Sequence, residues 1–302
     1  MSRKAERRLQ VGYGQLMREP IPSVSDAQEP SGSHTAVPLF DAYAPAEVAR
    51  RVRDVGIAKV TAPLATTLML AVLAGAFIAL GALFFTITMT AGTSAEPAAF
   101  GFVRLAGGMT FSLGLVLVIV GGAELFTGNN LVAMAWASKR VTTRGLVRNW
   151  ALVYIGNLIG AVGTAVLVWL ANIHLLADGA VGETIVSIAK AKVSLDPVTA
   201  LARGILCNAL VCLAVWLCMA ARSVADKILA IVLPISAFVA CVFEHSIANL
   251  YFLPSALLLI GSASSIGWVD VVANLFWVTA GNILGGTVLV AFVYWSIYLR
   301  SD

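Results

Sequence analysis

The sequence holds few of the residues from which metal centres and disulfide scaffolds are built: four cysteines and three histidines in 302 positions. Cys207, Cys212, Cys218 and Cys241 all fall inside apolar runs, with neither a CxxC pair nor a zinc-type Cys/His spacing. They read as free, buried thiols. His34, His174 and His245 are too scattered for a haem or metal core, so no cofactor and no metal is expected. Charge is also scarce. Charged residues make up 12% and apolar residues 59% of the chain, against about 25% and roughly 45–50% in ordinary soluble domains. That excludes a disordered chain, a secreted mini-protein and a typical cytosolic enzyme.

The net charge of +4 does not point to nucleic acid, because the basic residues form no patch with interleaved aromatics. Nine of the 20 precede residue 60, and most others flank apolar runs. Residues 1–44 are polar, with Pro20, Pro22, Pro30 and Ser31-Gly32-Ser33, and read as a disordered cytoplasmic tail. It lacks the apolar core of a signal peptide. Residues 45–60 place Val48, Val52 and Val55 on one face after Pro45, which predicts an amphipathic helix at the membrane interface.

Residues 61–300 form the membrane domain. Six apolar stretches lie near 62–89, 107–136, 146–171, 197–220, 228–260 and 269–298, each at or above the roughly 20 residues that cross a bilayer. The reading is an all-α membrane protein with six transmembrane helices. Six crossings put both termini on one side. Sixteen basic residues fall on that side against Arg104, Lys190 and Lys192 on the other, with Arg203 inside a span. Both termini are therefore expected in the cytoplasm of a bacterial-type inner membrane.

The second and fifth stretches are interrupted by polar and small residues, around Glu124 to Asn129 and Glu244 to Asn249, each pair five apart. Asn149 and Asn157 in the third stretch match Asn274 and Asn282 in the sixth, each pair eight apart. These offsets divide the domain into two three-helix halves. Three is odd, so the halves cross in opposite senses, an inverted repeat with the second and fifth helices broken. Glu124 and Glu244 are the only two acidic residues deep in apolar runs. A carboxylate there costs about 2.5–3.5 kcal/mol on insertion scales. Either each caps the freed N–H groups of its own broken helix, or each meets a permeant. Glu124, Glu244, Asn129 and Asn249 are thus structural candidates at the breaks. His245 has Leu125 as its counterpart, and its place beside a buried carboxylate makes it the candidate titrating group.

At these residues the chain resembles the formate/nitrite transporter family of small-anion channels. The resemblance rests on Glu244-His245-Ser246-Ile247-Ala248-Asn249, on Gly204 to Trp216, and on Ala123-Glu124-Leu125-Phe126-Thr127. It extends to Arg148-Asn149-Trp150, Gly156-Asn157 and Gly281-Asn282, covering nearly all of residues 45–300. It implies an aquaporin-like fold, a homopentamer, and one anion path per protomer. It further implies a cytoplasmic constriction from Phe111, Leu115 and Phe238 and a periplasmic one including Leu125. Thr127 would hydrogen-bond His245, Asn282 would lie near the histidine, and Lys192 would stand at the outer mouth.

The leading reading is a passive or proton-coupled channel for small monovalent weak-acid anions. Formate and nitrite come first, with hydrosulfide and acetate as further candidates, and His245 governs protonation of the permeant. Helix packing is the competing role for Phe111, Leu115, Leu125 and Phe238. A neutral-solute pore of the ammonium or water type is the main alternative. A membrane-embedded enzyme ranks last, since there is no nucleophile elbow and no second intramembrane histidine. The expected partners are the anions, the lipid bilayer and further copies of the chain, and no nucleic acid.

Overall fold

A computed structural model describes residues 41–90, 100–260 and 266–300. The tail over residues 1–40 and the two terminal residues on which the topology reading rests lie outside the described residues.

Every regular element among the described residues is a helix. The amphipathic segment forms helix α1, Pro45–Thr61, started by a proline at its first turn. Val48, Ala49 and Val52 bury its apolar face against Leu131, Met134 and Trp216. Helix α2, Leu64–Thr90, carries no charge over 27 residues. It spans about 40 Å, more than the roughly 30 Å of a hydrocarbon core. Helix α3 runs Phe100–Gly121; after it the chain forms a 3-10 turn, Gly128–Val132, and a short helix α4, Ala133–Ala137. Helix α5, Thr143–Leu170, is capped by Thr142, whose hydroxyl accepts the Gly145 N–H.

Helix α6, Ala180–Val193, occupies what the sequence reads as an outer loop. Its buried face is Val181, Ile185 and Ala189. Helix α7, Pro197–Ala220, begins at Asp196, whose carboxylate accepts from Val198 and Thr199. Hydrogen bonds from the Thr199 hydroxyl and backbone hold that exposed carboxyl below the usual aspartate range. Helices α8, Val224–Ala240, and α9, Ser246–Ile260, divide the fifth apolar stretch. Helix α10, Trp268–Leu284, continues through a π-helical segment, Gly285–Phe292, into α11, Val293–Tyr298.

Among the described residues, five helices are long and apolar enough to cross a membrane: α2, α3, α5, α7 and the run Trp268–Tyr298. The remaining expected span, the fifth apolar stretch, is divided between α8 and α9. Its interruption, residues 241–245, contains Val242 at φ 56°, a left-handed conformation that a β-branched residue adopts only when its surroundings impose it. The matching interruption after α3 opens at Gly122, φ 78°, where glycine takes that conformation freely. The cysteines need one correction. Cys207, Cys212 and Cys218 are buried and unpaired, but Cys241 is exposed, because it ends α8 at the break rather than lying inside a continuous helix.

Helix α2 packs on α3 and α5, α7 on α8 and α10, and α3 crosses α8. The α2–α5 crossing is so close that a Cβ on Gly75 would overlap the backbone of Asn157, and at the α7–α10 crossing one on Gly281 would overlap the Leu201 carbonyl. Membrane helices gain little from apolar burial against lipid, so small residues that let backbones approach supply the packing.

Candidate functional site

Both interruptions are closed by side chains from other helices, and the two closures use the same residue types in the same places, differing only in the second bond of the lysine. At the first, Lys59 Nζ, from the last turn of α1, donates to Glu124 Oε1 at 2.7 Å and to Asn129 Oδ1 at 2.9 Å. Asn129 Nδ2 donates to Glu124 Oε2 and to Asn149 Oδ1, and Asn149 Nδ2 returns to the Lys59 carbonyl. At the second, Lys192 Nζ, from the last turn of α6, donates to both oxygens of Glu244 at 3.0 Å. Asn249 Nδ2 donates to Glu244 Oε2 and Asn274 Oδ1, and Asn274 Nδ2 to the Lys192 carbonyl.

At each break an asparagine, not the carboxylate, accepts the first freed N–H, so the capping role, one of the two that the sequence leaves open for Glu124 and Glu244, passes to another residue. Asn157 Oδ1 accepts the Phe126 N–H at 2.9 Å, while its Nδ2 donates to the carbonyls of Ala71 and Glu124. Asn282 Oδ1 accepts the Ser246 N–H at 2.8 Å, and its Nδ2 donates to the carbonyls of Gly204 and Glu244. The described hydrogen bonds of the two carboxylates go to lysine and asparagine side chains instead. An amide both donates and accepts, so it can close a break on both strands, which an ionised carboxylate cannot do.

His245 stands at the second break, 3% exposed. Its Nδ1 accepts the Ala248 N–H at 3.1 Å, and its Nε2 lies 3.0 Å from Thr127 Oγ1. Because Nδ1 is the acceptor, the hydrogen-bond network assigns the ring proton to Nε2, which donates to Thr127. Phe238 stacks on the imidazole at 5.9 Å between centroids and meets Phe111 edge-on at 5.5 Å.

A cavity of about 120 Å³ opens onto this group, walled by Phe111, Phe238 and His245 and bordered by Lys192, Arg104 and Arg203. The family resemblance implies Phe111 and Phe238 on the cytoplasmic side and Lys192 at the outer mouth. The structure brings all three onto one cavity, because the end of α6 carries Lys192 down to Glu244 beside the α3–α8 crossing. Leu115, one turn farther along α3, and Leu125, at the first break, are buried but do not wall this cavity. Thr127 and Asn282 do lie at the histidine, directly and through Ser246.

Lys59 escaped the sequence reading. The signal was a short repeat, Ala58-Lys59-Val60-Thr61 against Ala191-Lys192-Val193-Ser194, each a few residues before a proline. Among the described residues no group of three metal-type ligands occurs.

A family model described as formate/nitrite transporter matches residues 46–296. The formate channel FocA of Escherichia coli K12 is 41% identical over 279 residues, spanning 87% of this chain and 97% of that protein. A solved structure titled a pentameric formate channel with formate bound superposes with a TM-score of 0.71 at 36% identity, covering 78% of this chain and 98% of that one. An FNT family ion channel superposes with a TM-score of 0.74 at 27% identity, covering 83% and 98%.

Proposed function

This chain belongs to the formate/nitrite transporter family, and we propose that it is a channel for small monovalent weak-acid anions, formate first and nitrite second. The proposal includes a homopentamer in the cytoplasmic membrane with both termini inside, each protomer holding its own path through two inverted three-helix halves. The matched closures of the two breaks support the repeat, since Lys59, Glu124, Asn129, Asn149 and Asn157 each have a counterpart of the same residue type, and all but the Lys59–Asn129 bond recur between the counterparts.

One observation carries the function: a cavity with a cationic border ends on an aromatic pair stacked against a buried histidine. The border attracts an anion and suits a neutral solute less well. At Phe111 and Phe238 a bare charge loses its hydration without replacement, a cost that a neutral acid escapes. With the His245 Nε2–H donated to it, the Thr127 hydroxyl keeps its own proton to donate to an anion and a second lone pair to accept from an acid. Proton uptake by the ring would occupy Nδ1 and displace the Ala248 bond. A bound formate or nitrite therefore takes a proton from the charged ring, leaving neutral imidazole with the Ala248 bond restored and a neutral acid, and the ring is reprotonated from the aqueous side.

Uptake of labelled formate, nitrite, hydrosulfide and acetate by the same proteoliposomes, with membrane current recorded in parallel, tests this. Formate and nitrite should enter faster than in protein-free vesicles and faster at acidic pH. Entry of ammonia or water alone would favour the neutral-solute pore.

A further inference from the structure

One position at each break departs from the pairing of the two halves. The Glu124 N–H donates to the carbonyl of Leu70 at 3.1 Å, and the Glu244 N–H donates to the carbonyl of Arg203 at 3.3 Å. The residue that anchors the break is thus aliphatic in one half and cationic in the other. Arg203 lies within α7, inside the hydrophobic stretch, where a guanidinium is costly and is placed toward a cavity or a partner. It borders the 120 Å³ cavity together with Arg104 and Lys192. Lys192 is engaged by Glu244. Among the described residues neither arginine has a carboxylate partner; Arg104 only overlies the Phe100 ring at 5.6 Å.

Three cations against one carboxylate leave this mouth in positive excess. The cavity at Lys59 is smaller, about 30 Å³, and the rest of its wall is apolar, with Val52, Leu131 and Val215. A guanidinium presents a planar fork that matches the two oxygens of a carboxylate, whereas an ammonium acts as a point charge. We propose that Arg203, supported by Arg104, forms a capture site for planar oxyanions of the carboxylate class ahead of the Phe111–Phe238 pair. The proposal rests on the channel reading and deepens it. The Arg203 backbone is tied to Glu244 and the neighbouring Gly204 carbonyl to Asn282, so the site keeps a fixed place relative to His245. Capture is confined to one face of the protomer, because the mirror position is Leu70.

The test uses the full chain in proteoliposomes, comparing wild type with Arg203→Leu, the residue of the mirror position, and with Arg203→Lys. Arg203→Leu should raise the half-saturating formate concentration roughly tenfold and flatten its dependence on ionic strength. Arg203→Lys should recover the ionic-strength response but not the preference for formate over competing chloride. Arg203→Gln replaces Arg203→Leu if the leucine variant assembles poorly. Unchanged half-saturation and unchanged chloride competition in a well-assembled variant overturn the proposal. Line broadening of ¹³C-formate by the purified protein separates the two readings. Broadening lost in the variant while the wild type carries no flux upholds the capture site and removes the channel. Flux and broadening both indifferent to Arg203 do the reverse, and absence of both in the wild type removes the two together.

Discussion

The two helix breaks share one scaffold and differ in what is placed on it. Lys59 and Glu124 meet with side chains 24% and 14% exposed, whereas Lys192 and Glu244 are 13% and 2% exposed. Where the first break has Leu125 and Leu70, the second has His245 and Arg203. The scaffold of lysine, glutamate and three asparagines therefore closes a break in either half. The second carries the titratable and cationic side chains, and there the ion pair is drier and the adjoining cavity larger. A dry ion pair is also the more fragile, since removing one partner strands a charge that water cannot reach.

The sharpest contrast should come from the glutamates. Glu244→Ala leaves Lys192 buried and unpaired, at about 3–5 kcal/mol, while Glu124→Ala exposes a lysine that water reaches more easily, at about 1–3 kcal/mol. Thermal unfolding of the purified oligomers reads the difference. Equal losses would show that the two pairs sit in equivalent environments.

The caps should behave alike. Asn157→Ala and Asn282→Ala each orphan one N–H of the break, Phe126 or Ser246, at about 1–3 kcal/mol per group. Both should lower the yield of assembled oligomer to a similar extent, and tolerance of one with failure of the other would break the correspondence of the halves.

The smallest effect belongs to the helix starts. Asp196 caps α7 with a carboxyl held below its usual value by the Thr199 hydroxyl and backbone, while Thr142 caps α5 with a group that does not titrate. A depressed folded-state value means that the stability from Asp196 is fully present above about pH 4, the ordinary aspartate range, and is lost as pH falls below it. Asp196→Asn should remove that acid-dependent component in a pH series of unfolding temperatures. Thr142→Ala should shift the whole series without changing its slope.

Most of the scaffold was legible because it depends on patterns a bilayer enforces: long apolar runs, rare buried carboxylates and asparagines at fixed spacings. Glu124, Glu244, Asn157 and Asn282 stood out because polar groups at that depth need partners. What those partners were was not legible. Lys59 and Lys192 lie at ends of short amphipathic helices where a lysine has many ordinary uses, and α6 is too short and polar at its end to separate from a loop by periodicity. The exchange of capping from carboxylate to asparagine and the placing of Phe111 and Lys192 on one cavity depend on which helices cross, information carried by small residues such as Gly75 and Gly281 only once the partners are known.

The most direct test of the central claim is the pH profile of formate uptake by wild type and by His245→Asn, with uptake and current measured on the same proteoliposomes. Asparagine keeps a hydrogen-bonding group but cannot take up and pass on a proton. Wild-type uptake should rise as pH falls and be largely electroneutral. In His245→Asn it should lose that pH response and its electroneutral share, with Thr127→Ala showing a weaker change in the same direction. Wild-type uptake with an unaltered pH profile in His245→Asn would contradict the claim and leave selection to the Phe111–Phe238 constriction.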